Sequence, residues 1–268
     1  MIISTFFDNI TAMAQQNDLS LAQTAEECVR YGVTGIDIED CEVADPRVSE
    51  LLDAGMQIVG MPTRFDLLHS PDGQTVEKIV DLAVKYNVPR ILMIPGFFID
   101  GEDRAKAMHT AAEEMSRLCA LAGKEGITVG VEDYDHIDAP TSTIDGMKWF
   151  LDQVPELSCF FDTGNFLFGG EDVMEAYRLM KHRITSQIHC KDRAFVGRPG
   201  DDPSKSKTGK LMYPCAVGSG ILPIGEIIRD LTGSGFDGVF TAELFGTEDT
   251  LGDLKASAEY IQSCISVK

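Results

Sequence analysis

Apolar and polar residues follow two alternating periods along this chain. Runs of apolar and β-branched residues with strand-like character occur at 2–6, 34–39, 56–61, 89–94, 127–132, 157–162, 184–189 and 237–243. Between them lie segments with the i, i+3, i+4, i+7 spacing of amphipathic helices. Strands joined through helices run parallel, so the pattern predicts a succession of βα units.

The helical segments carry start and stop signals that agree with this pattern. Apolar residues form continuous stripes in 74–87 and 103–124, whereas a second helix, at about 46–54, is short. Thr143 is suited to begin a helix near 143–152, because its side chain can accept a backbone hydrogen bond there. Glycines follow three of the predicted helix ends, at positions 32, 55 and 126.

Eight such units within 268 residues predict an α/β protein with one domain over 1–268, folded as a (β/α)8 TIM barrel. The rival fold is an open doubly wound sheet, which is expected to carry a Gly-rich phosphate-binding turn after an early strand. Neither Gly-x-Gly-x-x-Gly nor the Walker pattern occurs in the sequence. The closed barrel is therefore the prediction.

The connection from Arg193 to about Pro223 differs from the others, because it shows no helical pattern and contains GRPG, DDPSKSKTGK and VGSG. A long connection of this kind predicts a structureless lid or binding loop, or a disordered segment. Basic residues concentrate in it and suit either phosphate capture or a solvated loop: Arg193, Arg198, Lys205, Lys207 and Lys210.

Four consecutive predicted strands end in a residue that can bind a metal, namely Glu132, Asp162, His189 and Glu243. One polar residue at a strand end is unremarkable, but four in succession are not expected by chance. In a parallel barrel these ends open into a common mouth. Three carboxylates buried together there cost several kcal/mol unless a cation compensates them. The strand ends therefore predict a site for one divalent metal ion.

Three oxygen ligands and one imidazole suit Mn2+ as the expected ion, with Mg2+, Co2+ and Zn2+ as alternatives. Two open positions on such an ion fit the carbonyl and adjacent hydroxyl of a sugar. The metal would stabilise an enediolate, while Glu132 and Glu243, at the two sides of the four-strand arc, exchange the proton. Proton return to the same carbon is epimerisation, and return to the neighbouring carbon is isomerisation.

The segments VGVED, FFDTGN, IHCKD and VGSGILPIGEIIRDLTGSGFDGVFTAELF resemble the sugar isomerase/epimerase family of xylose-isomerase-like TIM barrels. This family includes ketose 3-epimerases, hydroxypyruvate isomerase and inosose-processing enzymes. The resemblance implies that the four strand-end residues are metal ligands and that Glu132 and Glu243 are the acid/base pair. Lys191 and Asp192 match the family's H-x-K-D segment, and Arg193 lies close to a substrate-binding arginine of many members.

The chain departs from the family pattern after the sixth strand. Many epimerases of the group read D-x-x-H there, whereas this sequence reads Asp162-Thr-Gly-Asn165. Asn165 can hydrogen-bond a substrate hydroxyl but is a poor metal ligand, which argues against several metals in the site. An endonuclease IV-type repair enzyme on the same barrel would need a cluster of zinc ions with many histidine ligands. This chain has five histidines, of which His109 and His182 lie in helical patterns and His69 and His136 in loops.

Other residues have a functional and a structural interpretation. Arg64 could bind a substrate oxygen or form a surface salt bridge, and Glu39 could line the pocket or be solvated. His136 could contact substrate, and Phe97 and Phe98 could form an apolar wall or simply pack. Trp149 is expected in the core.

Composition and charge limit the classes of partner and the cellular environment that the sequence predicts. The net charge of −20 argues against a nucleic-acid surface. No apolar run reaches the ~20 residues of a membrane helix, and the N-terminal residues lack the basic segment of a signal peptide. Seven cysteines without CxxC spacing predict reduced core thiols and a cytoplasmic protein.

The sequence thus predicts a metal-dependent isomerase or epimerase acting on a sugar or sugar phosphate. A dehydratase of the same superfamily is the alternative among enzymes, and a non-catalytic carbohydrate-binding subunit is the alternative from another class. The residue set assigned to substrate binding is Arg64, Asn165, Lys191 and Arg193. A homo-oligomer would be usual for the group.

Overall fold

The computed structural model of the protein describes residues 1–69 and 75–266. Its strands are β1 (Ile2–Phe6), β2 (Val33–Asp37), β3 (Gln57–Arg64), β4 (Arg90–Ile94), β5 (Thr128–Val131), β6 (Ser158–Cys159), β7 (Phe161–Asp162), β8 (Gln187–Cys190), β9 (Asp192–Ala194), β10 (Ser204–Lys205), β11 (Leu211–Cys215) and β12 (Val239–Ala242). Its α-helices are α1 (Phe7–Gln16), α2 (Leu21–Arg30), α3 (Val48–Asp53), α4 (Thr75–Lys85), α5 (Arg104–Ala122), α6 (Ile144–Gln153), α7 (Asn165–Gly169), α8 (Val173–Met180), α9 (Ile224–Gly233) and α10 (Thr250–Ile265).

Nine of these strands form one parallel sheet in the order β6-β5-β4-β3-β2-β1-β12-β8-β7. Its two edge strands, β6 and β7, are halves of one extended segment separated by Phe160, whose N–H still bonds Val131 O (2.9 Å). A Cβ at Gly130 would lie 2.1 Å from the Phe160 ring, so this glycine makes room for the ring. The sheet is therefore a nearly closed barrel, and the predicted TIM barrel is confirmed.

The predicted helices form with the predicted signals. Thr143 Oγ1 accepts the N–H of Gly146 (3.1 Å) at the start of α6. Gly32 and Gly55 adopt φ of 82° and 98° after α2 and α3, a conformation that favours glycine. The predicted helix at 74–87 corresponds to α4, although residue 74 lies outside the described residues.

The apolar stripes of these helices pack on the outer face of the barrel and form a continuous core with the strands. No helix of the described residues is long and apolar enough to cross a membrane.

The connection from Arg193 to about Pro223 is not structureless, contrary to the sequence-based expectation. It contains most of a three-stranded antiparallel sheet, in which β11 lies between β9 and β10. The Asp192 carboxylate accepts the N–H groups of Gly218 (2.9 Å), Gly220 (3.0 Å) and Leu222 (3.3 Å), which organises the VGSG turn. The strands β9 and β10 have only three and two residues, too few to show a period in the sequence.

Candidate metal centre

Four adjacent barrel positions bring charged side chains into the barrel mouth. Glu132 follows β5, Asp162 ends β7, His189 lies in β8 and Glu243 follows β12. All four are buried, and one ligand atom from each lies within 4.8 Å of the others. The side chains predicted from the strand ends therefore form one cluster.

Strand register explains why these side chains meet. His189 pairs with Asp162 on one side and with Thr241, two residues before Glu243, on the other. Residues two apart on a strand point to the same face, so Glu243 points into the barrel above Thr241.

Asp162 provides a direct test of whether the cluster fits a cation. Its Oδ1 accepts the N–H groups of Gly164 (2.7 Å) and Asn165 (2.8 Å) at the start of α7. Its Oδ2 is buried without a hydrogen-bond partner among the described residues and lies 3.8 Å from Lys191 Nζ. An unsatisfied buried oxygen is costly, and a cation in the cluster would satisfy it.

The electrostatics of the cluster agree with this fit. Burial raises the pKa of Glu132 and lifts that of Asp162 well above its usual value. Burial lowers the pKa of His189, but Glu132, whose Oε1 is 2.5 Å from His189 Nδ1, outweighs burial and raises it to about 9. Three carboxylates and one imidazole are a donor set that suits a hard or borderline divalent ion. The residues therefore fit a divalent metal.

Lys191 and Asn165 form a polar wall beside this cluster. Lys191 Nζ donates to Asn165 Oδ1 (2.6 Å) and lies 2.5 Å from Glu243 Oε1. Burial alone would lower the pKa of Lys191, but Asp135 and the cluster carboxylates raise it, so the ammonium stays charged. Both residues line the cavity above the cluster.

The two arginines predicted to bind substrate also line this cavity. Arg193 is only 7% exposed, and Asp135 Oδ2 is 3.8 Å from its Nη2, too far for a hydrogen bond. Arg64 is more exposed and forms an ion pair with Glu39, which lines the cavity as well. Arg64 therefore both lines the cavity and forms a salt bridge, as its two interpretations predicted.

The cavity has a volume of about 340 Å3, which is suited to a small molecule. Sequence reasoning missed several residues that line it, although each lies within four residues of a barrel strand end: Phe6, Asp8, Tyr134, Asp135 and Phe245. Leu92 and Ile94 of β4 add apolar surface. Proximity to a strand end was the signal that could have identified the missed residues.

Asp133 is a further residue that the sequence did not single out. Its Oδ1 accepts the N–H of Asp162 (2.8 Å), and its carbonyl oxygen accepts a bond from Asn165 Nδ2 (2.6 Å). Burial, followed by the charge of Asp162, raises its pKa well above the usual value. Asp133 thus holds two site residues in place from behind, and its position directly after Glu132 was the available signal.

Of the residues with two interpretations, His136, Phe97 and Phe98 lie outside the cavity lining, as does Trp149. The ring of Phe97 packs against those of His136 (4.6 Å) and Tyr134 (5.8 Å). Phe98 and Trp149 pack partly buried against the core.

Most of the basic residues in the 193–223 connection have partners away from the cavity. Arg198 binds Asp253 (2.6 Å), Lys207 donates to Ser142 (3.3 Å), and Lys210 lies over the ring of Phe195 (3.1 Å). None of these three residues lines the cavity. Arg193 is the member of this group that faces the cavity.

The sequence of this barrel matches a known protein family. A family model described as xylose isomerase-like TIM barrel matches residues 25–264. None of the curated proteins matches the chain.

Solved structures resemble the whole chain at low identity. A xylose isomerase-like TIM barrel protein from Mycobacterium smegmatis in complex with magnesium is 19% identical, with a TM-score of 0.71 over 99% of this chain and 96% of that one. The probable 3-DHS dehydratase AsbF from Bacillus anthracis is 17% identical, with a TM-score of 0.69 over 98% and 99%. An L-ribulose 3-epimerase is 13% identical, with a TM-score of 0.70 over 99% and 95%. At such identities the likeness shows the fold alone.

Proposed function

Because the chain belongs to the xylose isomerase-like TIM barrel family, we propose that this enzyme is a divalent-metal-dependent isomerase or epimerase of a sugar or sugar phosphate. The observation that carries the proposal is the buried cluster of Glu132, Asp162, His189 and Glu243 beneath a cavity of small-molecule size. Mn2+ is the ion we expect, and Mg2+, Co2+ and Zn2+ also suit the donor set. The magnesium bound to the Mycobacterium smegmatis protein supports a divalent ion in this fold.

The chemistry follows from the two glutamates. A divalent cation held by the four side chains would polarise a substrate carbonyl and acidify the neighbouring C–H group. One glutamate removes the C–H proton, and the other returns a proton to the same or the adjacent carbon. Glu132 and Glu243 suit these roles because they stand at the two ends of the strand arc β5-β6/β7-β8-β12.

The surrounding residues bind and orient the substrate. The guanidinium of Arg193 makes no hydrogen bond to the described residues, so its donors can bind a ligand oxygen. Asn165, Lys191 and Arg64 offer further polar groups on the cavity wall. The apolar side chains of β4 and the aromatic rings at the mouth exclude water from the reacting carbon.

A dehydratase of the same family is the second candidate. Lys191 Nζ, 2.5 Å from Glu243 Oε1, is a charged donor next to a proposed base, and it could supply a proton to a leaving hydroxyl. The likeness to a probable 3-DHS dehydratase supports this alternative. A carbohydrate-binding protein without activity would need neither glutamate as acid or base.

Solvent deuterium exchange separates these functions. The Mn2+-loaded protein is incubated in D2O with a panel of ketoses and their phosphates, and products are followed by mass spectrometry. We expect one deuterium in the recovered or isomerised sugar, and rates lower by about 10²–10⁴-fold in Glu132→Gln and Glu243→Gln.

Glu125→Gln is the matched control, because Glu125 is exposed and precedes β5 at the other end of the barrel. A product lighter by one water would instead identify a dehydratase. A stoichiometric metal with neither exchange nor water loss on any sugar would contradict the enzymatic proposal.

A further inference from the structure

A polar layer lies inside the barrel directly beneath the metal centre, where branched apolar side chains are usual. It consists of Ser4, Asp37, Gln187 and Thr241, each at most 1% exposed. A Cβ at Gly60 would lie 2.2 Å from Asp37 Oδ1, so this glycine leaves room for the layer. Polar groups buried this deeply cost free energy unless they are hydrogen-bonded, so their presence here indicates a specific role.

Asp37 organises the layer through short hydrogen bonds. Its Oδ2 accepts from Ser4 Oγ (2.7 Å) and Thr241 Oγ1 (3.1 Å), and its Oδ1 accepts from Gln187 Nε2 (2.6 Å). The same amide nitrogen of Gln187 donates to Thr241 Oγ1 (2.9 Å). The two hydrogens of the amide group are thus committed to Asp37 and Thr241.

The layer touches the metal centre at His189. The Nδ1 atom of this ring faces the cluster, 2.5 Å from Glu132 Oε1 and 3.6 Å from Glu243 Oε2. The Nε2 atom faces the layer, 3.3 Å from Gln187 Nε2. Ligation through Nδ1 requires a lone pair on that atom, which leaves the ring proton on Nε2. The ligating tautomer therefore needs a hydrogen-bond acceptor where the Gln187 amide lies.

Gln187 has an acceptor that no described residue uses. Its Oε1 is buried without a hydrogen-bond partner. A half-turn of the terminal amide exchanges Oε1 and Nε2, and would bring Oε1 to the Nε2–H of His189. The turn gives up the bond to Asp37, so Asp37 opposes it.

We propose that Gln187 is a positioning residue of the metal centre, which turns its amide to hold His189 in the ligating tautomer while Asp37 and Thr241 set how readily it turns. The inference rests on the proposed metal site and adds to it a determinant of metal affinity located beneath the cavity. Outer residues that orient a ligating histidine typically change metal affinity about 10–100-fold.

Calorimetric titration of EDTA-stripped protein with Mn2+ tests the proposal, with unbound Mn2+ checked by electron paramagnetic resonance. We expect Gln187→Met, which keeps the volume but removes the acceptor, to bind Mn2+ about 10–100-fold more weakly than wild type. Ser257→Ala is the matched control, because it loses a buried hydrogen bond to Asp253 O (2.6 Å) away from the cluster. Its Mn2+ affinity should equal that of wild type.

A charge-conserving exchange provides the rescue. In Asp37→Asn/Gln187→Glu the 37–187 hydrogen bond is kept with its direction reversed, and a carboxylate oxygen faces His189 Nε2 permanently. We expect Mn2+ affinity at or above the wild-type value. Unchanged or tighter binding by Gln187→Met, or a double variant as weak as Gln187→Met, would overturn the inference. Failure of wild type to bind stoichiometric Mn2+ would instead refute the proposed metal site.

Discussion

Asp162 shows how a single side chain combines a structural and a proposed functional role. Its Oδ1 holds the first turn of α7 through two backbone N–H groups, whereas its buried Oδ2 has no partner among the described residues. The N–H groups at a helix start favour an acceptor, and a divalent ion favours an anionic oxygen. An aspartate at this position can serve both.

Asp162→Asn separates the two roles. The amide oxygen can still accept the α7 bonds, but an NH2 group replaces Oδ2 and points a donor at the cation. We expect loss of stoichiometric Mn2+, measured by elemental analysis after dialysis, with thermal stability of the metal-free protein equal to or above wild type. Asp172→Asn is the control, because Asp172 caps α8 in the same way through the N–H of Glu175 (2.8 Å). One equivalent of Mn2+ retained by Asp162→Asn would contradict the ligand assignment.

At the scale of elements, His69 joins the connections that follow β3 and β4. Its Nδ1 lies 2.9 Å from both carboxylate oxygens of Asp66, and its Nε2 lies 2.7 Å from Glu102 Oε2. Burial lowers the pKa of His69, but its hydrogen bonds to Glu102 and Asp66 outweigh burial and hold the pKa above its usual value. The folded state therefore favours the charged imidazolium.

The ion pairs of His69 with Asp66 and Glu102 predict that the thermal stability of the protein depends on pH. A group whose pKa is raised on folding stabilises the folded state fully at a pH below its unfolded pKa, which is near 6.5 for histidine. This stabilisation is lost as the pH rises through the pKa of the folded state. Each partly exposed ion pair contributes about 0.2–1 kcal/mol. We expect His69→Gln to lower the melting temperature by about 1–3 °C at pH 6 and by less at pH 9.

His109→Gln is the matched control for this measurement, since His109 is exposed and its ring packs edge-on against Trp149 (5.1 Å). A difference between wild type and His69→Gln that grows with pH would refute the assigned ion pairs.

The secondary-structure elements differ in how well the sequence predicted them. Strands and helices of the βα units carry regular periods, so β1 and α6, for example, lie within one residue of their predicted bounds. The sheet formed by β9, β10 and β11 was missed, because β10 has only two residues and its pairing with β11 depends on chain reversal. Short strands of this kind have no period that a sequence can display.

At the scale of the whole molecule, the barrel concentrates buried carboxylates in a chain whose net charge is already −20. Mutual repulsion and desolvation of these groups destabilise the metal-free folded state. A divalent ion that binds the folded state alone would stabilise it by mass action.

Thermal unfolding should therefore depend on metal. At a Mn2+ concentration of about 100 times the dissociation constant, the expected stabilisation is about 2.7 kcal/mol, which corresponds to a rise of roughly 5–10 °C in melting temperature. EDTA should reverse the rise, and Asp162→Asn should show none. A melting temperature that Mn2+ leaves unchanged in wild type would argue against a metal centre formed by the folded barrel.

The sequence by itself determined the barrel and the residues that converge at its mouth. Side chains alternate along each strand, and the carboxyl ends of parallel strands open at one end of the barrel. The sequence alone therefore predicted which four side chains meet at the mouth: Glu132, Asp162, His189 and Glu243. Only the tertiary structure decided what surrounds them. Asp37 and Gln187 form a hydrogen bond although they are 150 residues apart, and Lys191 Nζ contacts Glu243 Oε1 at the end of the neighbouring strand. Such contacts depend on strand register, barrel closure and side-chain rotamers, which local spacing along the chain does not encode.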